Sequence, residues 1–500
     1  MPNKQEFVEL INNGYSTKGD SITLGAAMLG DETITNSFVK IPLKTINRHG
    51  LIAGATGTGK TKTLQVFAEN LSENGVPVLL MDVKGDLSGL AKPSPGHKKI
   101  DERHNKIGLP FTSKNFPVEI LTISEQKGTR LRATVSEFGP TLLSRILNLS
   151  EVQSGIVAIL FQYCDDNKLA LLDIKDFKKV LQFATQEGKS EIESKYGRIS
   201  TASTGSILRK IVAIEQQGGD LFFGERSFDV RDLTRIADDG RGVISILRLT
   251  DIQDKPQLFS TFMLQLLAEI YSTFPEQGDS DRPELVMFID EAHLVFENAS
   301  KTLLNQIESI IKLIRSKGIG IYFVTQNPKD IPADVLSQLG LKVQHALRAF
   351  TAKDRKAIKL AAENYPDSPF YDTADELTKL GIGEALVSAL NEKGIPTPLA
   401  KTMLRAPMSR MDILTTGELE ELIHLSKISA KYNEEIDSES AYEILNSKIE
   451  KINKEIEVVK KQKHSSAKRK SSAMNPILKV VTSATFIRGV FGILNKVFKK

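Results

Sequence analysis

The chain has 500 residues, of which 40% are apolar and 26% charged, with a single cysteine, Cys164. These values exclude a disulfide-stapled secreted scaffold and a low-complexity chain, and the length exceeds what one ordinary core needs. The net charge of +4 hides an asymmetry: residues 458–500 carry nine lysines, two arginines and no acid, so the tail is strongly basic and the body mildly acidic.

The N-terminus, "MPNKQEFVEL", has no apolar leader. No apolar run approaches the roughly 18 residues that a bilayer span requires. A cytoplasmic protein is expected. Residues 1–45 read as a short N-terminal segment. Beyond it, short apolar runs alternate with helical stretches: "GLIAG" (50–54), "VPVLLMDV" (76–83), "VEILTI" (118–123), "GVISILRL" (242–249), "ELVMFID" (284–290) and "GIGIYFVT" (318–325). Continuous apolar runs of strand length suit strands covered on both faces, which predicts an α/β fold on a mostly parallel sheet. Residues 137–217 show helical spacing only and predict an α-helical insertion. "LKVQHALRAF", "GEALVSAL" and "PTPLAKTML", between 341 and 404, read as strands that close the sheet or add a hairpin.

After about Pro407 the character changes. Tyr442, Leu445, Ile449, Ile452, Ile456 and Val459 recur at spacings of three and four, a heptad seam within a helical segment spanning 416–463. The seam suits a helix docked on its own domain as well as a coiled coil. Residues 464–500 read as a basic linker followed, from Pro476, by an amphipathic segment with Phe486, Val490, Phe491 and Leu494 on one face. Such a tail suits nucleic acid, a membrane surface or an acidic protein, and equally a solvated end.

Gly54-Ala55-Thr56-Gly57-Thr58-Gly59-Lys60-Thr61 has the form G-x-x-x-x-G-K-[ST], between a predicted strand and a predicted helix, and these residues with the following Lys62 are the expected ATP-binding stretch. The glycines let backbone amides turn inward around phosphate oxygens. Lys60 is placed for the β- and γ-phosphates and the Thr61 hydroxyl for Mg²⁺, and the helix N-terminus favours the anion. A second strand ends in Asp290 and Glu291, followed by Ala292 and His293. Asp290 suits Mg²⁺ held through water, and Glu291 suits the general base that activates an attacking water. The two motifs together predict an ATPase that turns over.

Four further positions are candidates. Gln326, in "VTQNP" at the end of the next strand, suits a γ-phosphate sensor or an ordinary turn. Arg315, in "IKLIRSKGIG", suits a finger reaching a neighbouring subunit's γ-phosphate, or a solvated charge at a helix C-terminus. Asp82, at the end of the second strand, suits the metal or water network, whereas Asp86 is as readily a turn residue. His293 completes the string "DEAH", but no second domain with strand–helix alternation follows, which argues against the helicases that carry that string.

"RHGLIAGATGTGKT", "MDVKGDLSGL", "FFGERSFDV", "FIDEAHLVF", "LIRSKGIGIYFVTQNPKDIPADVLSQLGLKVQHALRAFTAKDRKA" and "GIGEALVSALNEKGIPTP" resemble the YjgR-like bacterial ATPases of the HerA–FtsK clan, over about residues 19–407. The resemblance implies a RecA-like P-loop ATPase domain, here about 46–415, acting as a hexameric ring that pumps double-stranded DNA. It implies that Lys60 and Thr61 bind Mg-ATP, that Asp290 and Glu291 form the metal and catalytic pair, that Gln326 senses the nucleotide, and that Arg315 acts in trans. Asp82 matches an acidic position of the clan and Arg48 a basic one. Fewer than 50 residues precede Arg48, too few for the N-terminal barrel of HerA-type helicases. Two functions therefore compete: a DNA translocase or helicase, with Arg209 and Lys210 of the insertion as candidate pore residues, and an ATPase that remodels proteins or works at a membrane through its basic tail. A nucleotide-gated switch without turnover is a third, which Glu291 disfavours.

Overall fold

The computed structural model describes residues 3–467, apart from Gln253, Asp279, residues 297–300, Phe350, Glu435 and Asp437. In chain order the strands are β1 (Ser21–Leu29), β2 (Glu32–Pro42), β3 (Gly50–Ala53), β4 (Val78–Asp82), β5 (Val118–Thr122), β6 (Thr129–Arg130), β7 (Ile244–Arg248), β8 (Leu285–Ile289), β9 (Ile319–Thr325), β10 (Leu341–Gln344), β11 (Glu384–Ser388) and β12 (Ala400–Leu404). They form one sheet in the order β2-β1-β12-β11-β10-β3-β9-β8-β4-β7-β5-β6. Every pair from β10 to β6 is parallel, and every pair from β10 back to β2 is antiparallel.

The parallel half is built from the continuous apolar runs. β3, β4, β5, β8 and β9 are buried at every position, as strands covered on both faces must be. The helix Lys60–Glu73 packs on this half through Phe67, whose ring lies 6.1 Å from Phe288 and 5.9 Å from Tyr322. The Tyr322 hydroxyl satisfies itself on Ile46 O at 3.0 Å. Each such buried aromatic contributes about 2 kcal/mol, and this cluster ties the helix to the two strands that carry Asp290 and Gln326.

The insertion is helical, as its spacing predicts. Val135–Ile146, Glu151–Asn167, Ile174–Thr185, Lys189–Tyr196 and Thr201–Glu215 lie between β6 and β7. The segment 1–45 is more than a lead-in. It contributes the helix Lys4–Gly14 and the β1–β2 hairpin, which joins the sheet by pairing β1 with β12. Register shifts between Thr23 and Gly25 and between Ala26 and Met28 break the period-two pattern, which is why the strand signal is weak. Gly25 is needed there, because a Cβ would stand 1.9 Å from Met403 O.

The first compact unit runs through Tyr442, past the expected boundary at 415. Beyond β12 the chain folds back over the helix Lys60–Glu73. Buried Glu69 accepts from Met408 N (2.8 Å) and Ser409 N (2.9 Å), and Gln65 Nε2 donates to Ser409 Oγ (2.7 Å). The heptad positions fall on one helix, Ala441–Ala467, most of which forms a second unit beginning at Glu443. The amphipathic segment from Pro476 lies outside the described residues. Among those described, no helix is long and apolar enough to cross a membrane.

Candidate functional site

Sheet order brings three motifs to one edge. β3 leads into the glycine loop, β8 ends at Asp290, and β9, which lies between them, ends at Gln326. The three strands are parallel, so their C-terminal ends share the edge where ligands bind in open α/β sheets.

Gly54, Gly57 and Gly59 have φ of 152°, 78° and 111°, a backbone open to phosphate that side chains would obstruct. At Gly54 a Cβ would meet His345 Cβ at 2.5 Å. The loop is pinned from below by Ala55 N on Ala346 O (2.8 Å) and from the side by Gly383 N on Thr58 O (3.0 Å). Thr63 Oγ1 lies 2.9 Å from Nε2 of His345, which burial and the charge of Lys60 hold neutral, with its pKa lowered to about 4. Lys60 Nζ is curled into the loop, donating to Gly54 O (2.6 Å) and Ala55 O (3.1 Å). Lys62 places its ammonium on Met411 O at 2.6 Å. Beside Lys62 and Thr63 opens a cavity of about 310 Å³, walled by Arg103, Ile382, Leu404 and Met411.

The carboxylates stand at the tip of β8. Asp290 is buried, and burial raises its pKa to about 7 even though Lys84 opposes the shift. Burial also pushes Glu291 up, but the hydrogen bond and charge of Lys84, with His293 and Gln326, outweigh it and hold this carboxyl below its usual range. Glu291 has φ of +47°, an unusual conformation for a residue with a side chain. Its Oε1 lies 2.5 Å from Lys84 Nζ. Its Oε2 is buried without a hydrogen-bond donor, with His293 Nδ1 3.4 Å away. Thr56 Oγ1 donates to Gln326 Oε1 at 3.3 Å, linking the loop to β9.

Among the described residues, no group of three or more His, Cys, Asp or Glu side chains could hold a metal by itself. Mg²⁺ is usually held by one or two protein oxygens together with water and phosphate oxygens, and Asp290 and Thr61 are of that kind. Buried Asp290, with its raised pKa, is the carboxylate whose charge such an ion would stabilise, and Thr61 opens the adjacent helix. The residues fit the ion in company with a triphosphate.

Asp82 ends β4, the strand beside β8, so it shares the edge that carries Asp290 and Glu291. The Asp82 carboxylate accepts from Gly85 N (2.7 Å), Asp86 N (3.3 Å) and Leu87 N (3.2 Å), which makes it the anchor of the turn after β4. That turn carries Lys84, whose neighbour Glu291 follows a different strand, β8. Arg315 is exposed and precedes β9, whereas Gln326 follows it; seven strand residues at about 3.3 Å each separate them by roughly 20 Å. Arg48 precedes β3, at the same far edge as Arg315. Arg209 is exposed on the insertion, and Lys210 Nζ donates to Asn148 O.

A family model described as "Helicase HerA-like C-terminal" matches residues 28–489. The chain belongs to that family. It is a P-loop ATPase of the HerA-like group, as the site's geometry indicates. The HerA-like chain is 23% identical over 411 residues to the DNA double-strand break repair helicase HerA of Sulfolobus acidocaldarius, covering 80% of this chain and 75% of that protein. It is 26% identical over 358 residues to the DNA import protein CedB of the same organism, covering 71% and 52%. In fold it resembles the plasmid coupling protein TrwB, solved in complex with the non-hydrolysable ATP analogue ADPNP, with a TM-score of 0.54, 15% identity, and coverage of 81% and 94%.

Proposed function

We propose that this chain is an oligomeric, Mg-ATP-driven motor that moves double-stranded DNA, with each active site completed by a neighbouring subunit. The observation that carries the shared site is the distance between Arg315 and the loop of its own chain. Arg315 is exposed at the edge opposite Gln326, with Leu313, 52% exposed, two residues before it. An arginine and a leucine offered to solvent together suit a subunit contact, and across such a contact Arg315 meets another chain's γ-phosphate. The DNA substrate rests on the HerA and CedB relatives.

In the proposed cycle the loop amides and Lys60 hold the β- and γ-phosphates. Glu291 Oε2 accepts a proton from water as the water oxygen bonds to the γ-phosphorus and the bond to the bridging oxygen breaks, giving ADP and phosphate. Thr61, and Asp290 through water, would hold Mg²⁺ with the nucleotide, and the ion would supply charge neutralisation at the phosphates. Gln326, joined to Thr56, reports whether the γ-phosphate is present. The cavity beside Lys62 and Thr63 takes the base, since it opens next to the first helical turn, where the nucleoside leaves the phosphates.

The deciding experiment measures mass in solution with ATP, together with ATP turnover with and without duplex DNA at low salt, where phosphate contacts are strongest. A hexamer with DNA-stimulated turnover is expected. A monomer, or turnover indifferent to DNA, excludes the motor. Stimulation by anionic vesicles instead would favour action at a membrane through the basic tail.

A further inference from the structure

The sequence motifs leave Lys84 without a role, yet its ammonium occupies the chemical centre of the site. Nζ lies 2.5 Å from Glu291 Oε1 and 3.9 Å from Asp290 Oδ2. The two carboxylates are buried, with side chains 5% and 6% exposed, whereas the lysine side chain is 37% exposed. The lysine is therefore the partner with room to leave. Its backbone does not share that freedom. Asp82 clamps the turn through three amides, and Gly85, at φ +76°, faces Thr250, where a Cβ would stand 2.9 Å away.

We propose that Lys84 is a latch on Glu291. Without nucleotide its ammonium holds Oε1 and screens Asp290, and arrival of Mg²⁺ with the triphosphate displaces it and frees Glu291 for water. This rests on Glu291 being the general base. Lys60 and Lys84 face Asp290 and Glu291 across the site, with Asp82 and Asp86 close enough to add acidic charge. A divalent cation near Asp290 competes for the carboxylates that hold the ammonium. Lys60 is likewise withdrawn onto Gly54 O and Ala55 O, so both cations are parked on internal acceptors. A carboxylate engaged in a charged hydrogen bond is a weaker base, so the closed latch suppresses futile turnover. Lys84 acts through Glu291 and is a positioning residue.

The experiment compares wild type, Lys84→Met, Lys84→Arg and Glu291→Gln in the full chain. The first readout is ATP turnover without DNA as a function of Mg²⁺ concentration. Lys84→Met is expected to raise basal kcat roughly threefold or more and to lower the half-saturating Mg²⁺ concentration, with Lys84→Arg close to wild type. The second readout is a melting-temperature cycle over Lys84→Met and Glu291→Gln. Their effects are expected to be non-additive without nucleotide and additive with Mg²⁺ and a non-hydrolysable ATP analogue. Unchanged or reduced basal kcat in a folded Lys84→Met protein overturns the latch. So does non-additivity that persists with the analogue, which would make the pair a permanent strut. If Glu291→Gln retains wild-type turnover, the assignment of Glu291 as base fails instead, and the two failures are distinct.

Discussion

Arg315 and Gln326 stand at opposite ends of one strand, β9, the first exposed before its start and the second at the edge that carries the nucleotide loop. No side chain spans the roughly 20 Å between them. A chain that needs both for turnover must borrow one. Arg315→Ala is therefore expected to lower kcat by about 10³-fold, with nucleotide binding retained. Mixing it with Glu291→Gln provides the check. In mixed assemblies of the proposed oligomer, some interfaces would combine an intact Glu291 with an intact Arg315, so two inactive proteins should recover part of the activity. Absence of recovery after subunit exchange would count against the shared site.

Glu291 is held at φ +47° with Oε2 buried and free of donors, while Oε1 is taken by Lys84. Glu291→Gln keeps the shape and loses the base. The expected loss in kcat is about 10²- to 10⁴-fold, with the dissociation constant for ATP changed little. Single-turnover chemistry and equilibrium binding, measured on the same preparation, separate the two. Lys60→Ala differs in kind, because removing its ammonium weakens binding and turnover together.

Much of this site is legible in the chain because its parts are local. The loop 54–61 is a contiguous string, and Asp290 and Glu291 stand where an apolar run stops. The parallel half of the sheet is legible for the same reason, since its strands are buried on both faces and read as unbroken apolar runs. What escapes the sequence is non-local. Lys84 gains its meaning only because β4 lies beside β8, and nothing in "MDVKGDLSG" announces that neighbour. The same turn shows Asp82 spending its oxygens on backbone amides, where its position at a strand end suggests a ligand. The β1–β2 hairpin is hidden by its bulges, and its docking on β12 joins residues nearly 380 apart in the chain.

Burial raises the Asp290 pKa to about 7, far above the ordinary aspartate value of about 3.9. Between these values the folded chain binds the proton that the unfolded chain has released, so Asp290 lowers stability as pH rises from about 4 to about 7. Glu69, also raised to about 7 by burial, acts in the same direction. Asp290→Asn removes one such cost. The nucleotide-free variant is expected to melt roughly 2 °C or more above wild type at pH 8, with a smaller difference or none at pH 5. Differential scanning calorimetry at the two pH values checks it, and an equal shift at both would mean that protonation is not the cause. Mg²⁺ with nucleotide should narrow the gap at pH 8, because the ion stabilises the wild-type carboxylate and has less to gain from the amide.

Arg103 tests where the base sits. Its guanidinium donates to Gly383 O (3.0 Å), Leu404 O (3.1 Å) and Ile382 O (3.0 Å), closing one wall of the cavity beside Lys62 and Thr63. The same loop sends Gly383 N to Thr58 O, so the wall and the phosphate loop are braced together. Arg103→Ala removes three hydrogen bonds and loosens that wall, at about 1–2 kcal/mol of nucleotide affinity, or roughly five- to thirtyfold in KM. Glu291, Asp290 and Lys60 keep their places, so kcat should change by less than about threefold. Met411→Ala trims the opposite wall and should raise KM more weakly, since Lys62 bonds the backbone carbonyl at that position and not the side chain. Steady-state kinetics with ATP and with inorganic tripolyphosphate as competitor separate the base from the phosphates. The inhibition constant of tripolyphosphate should be the same in wild type and both variants. If it weakens in step with KM, the cavity serves the phosphate loop and not the base.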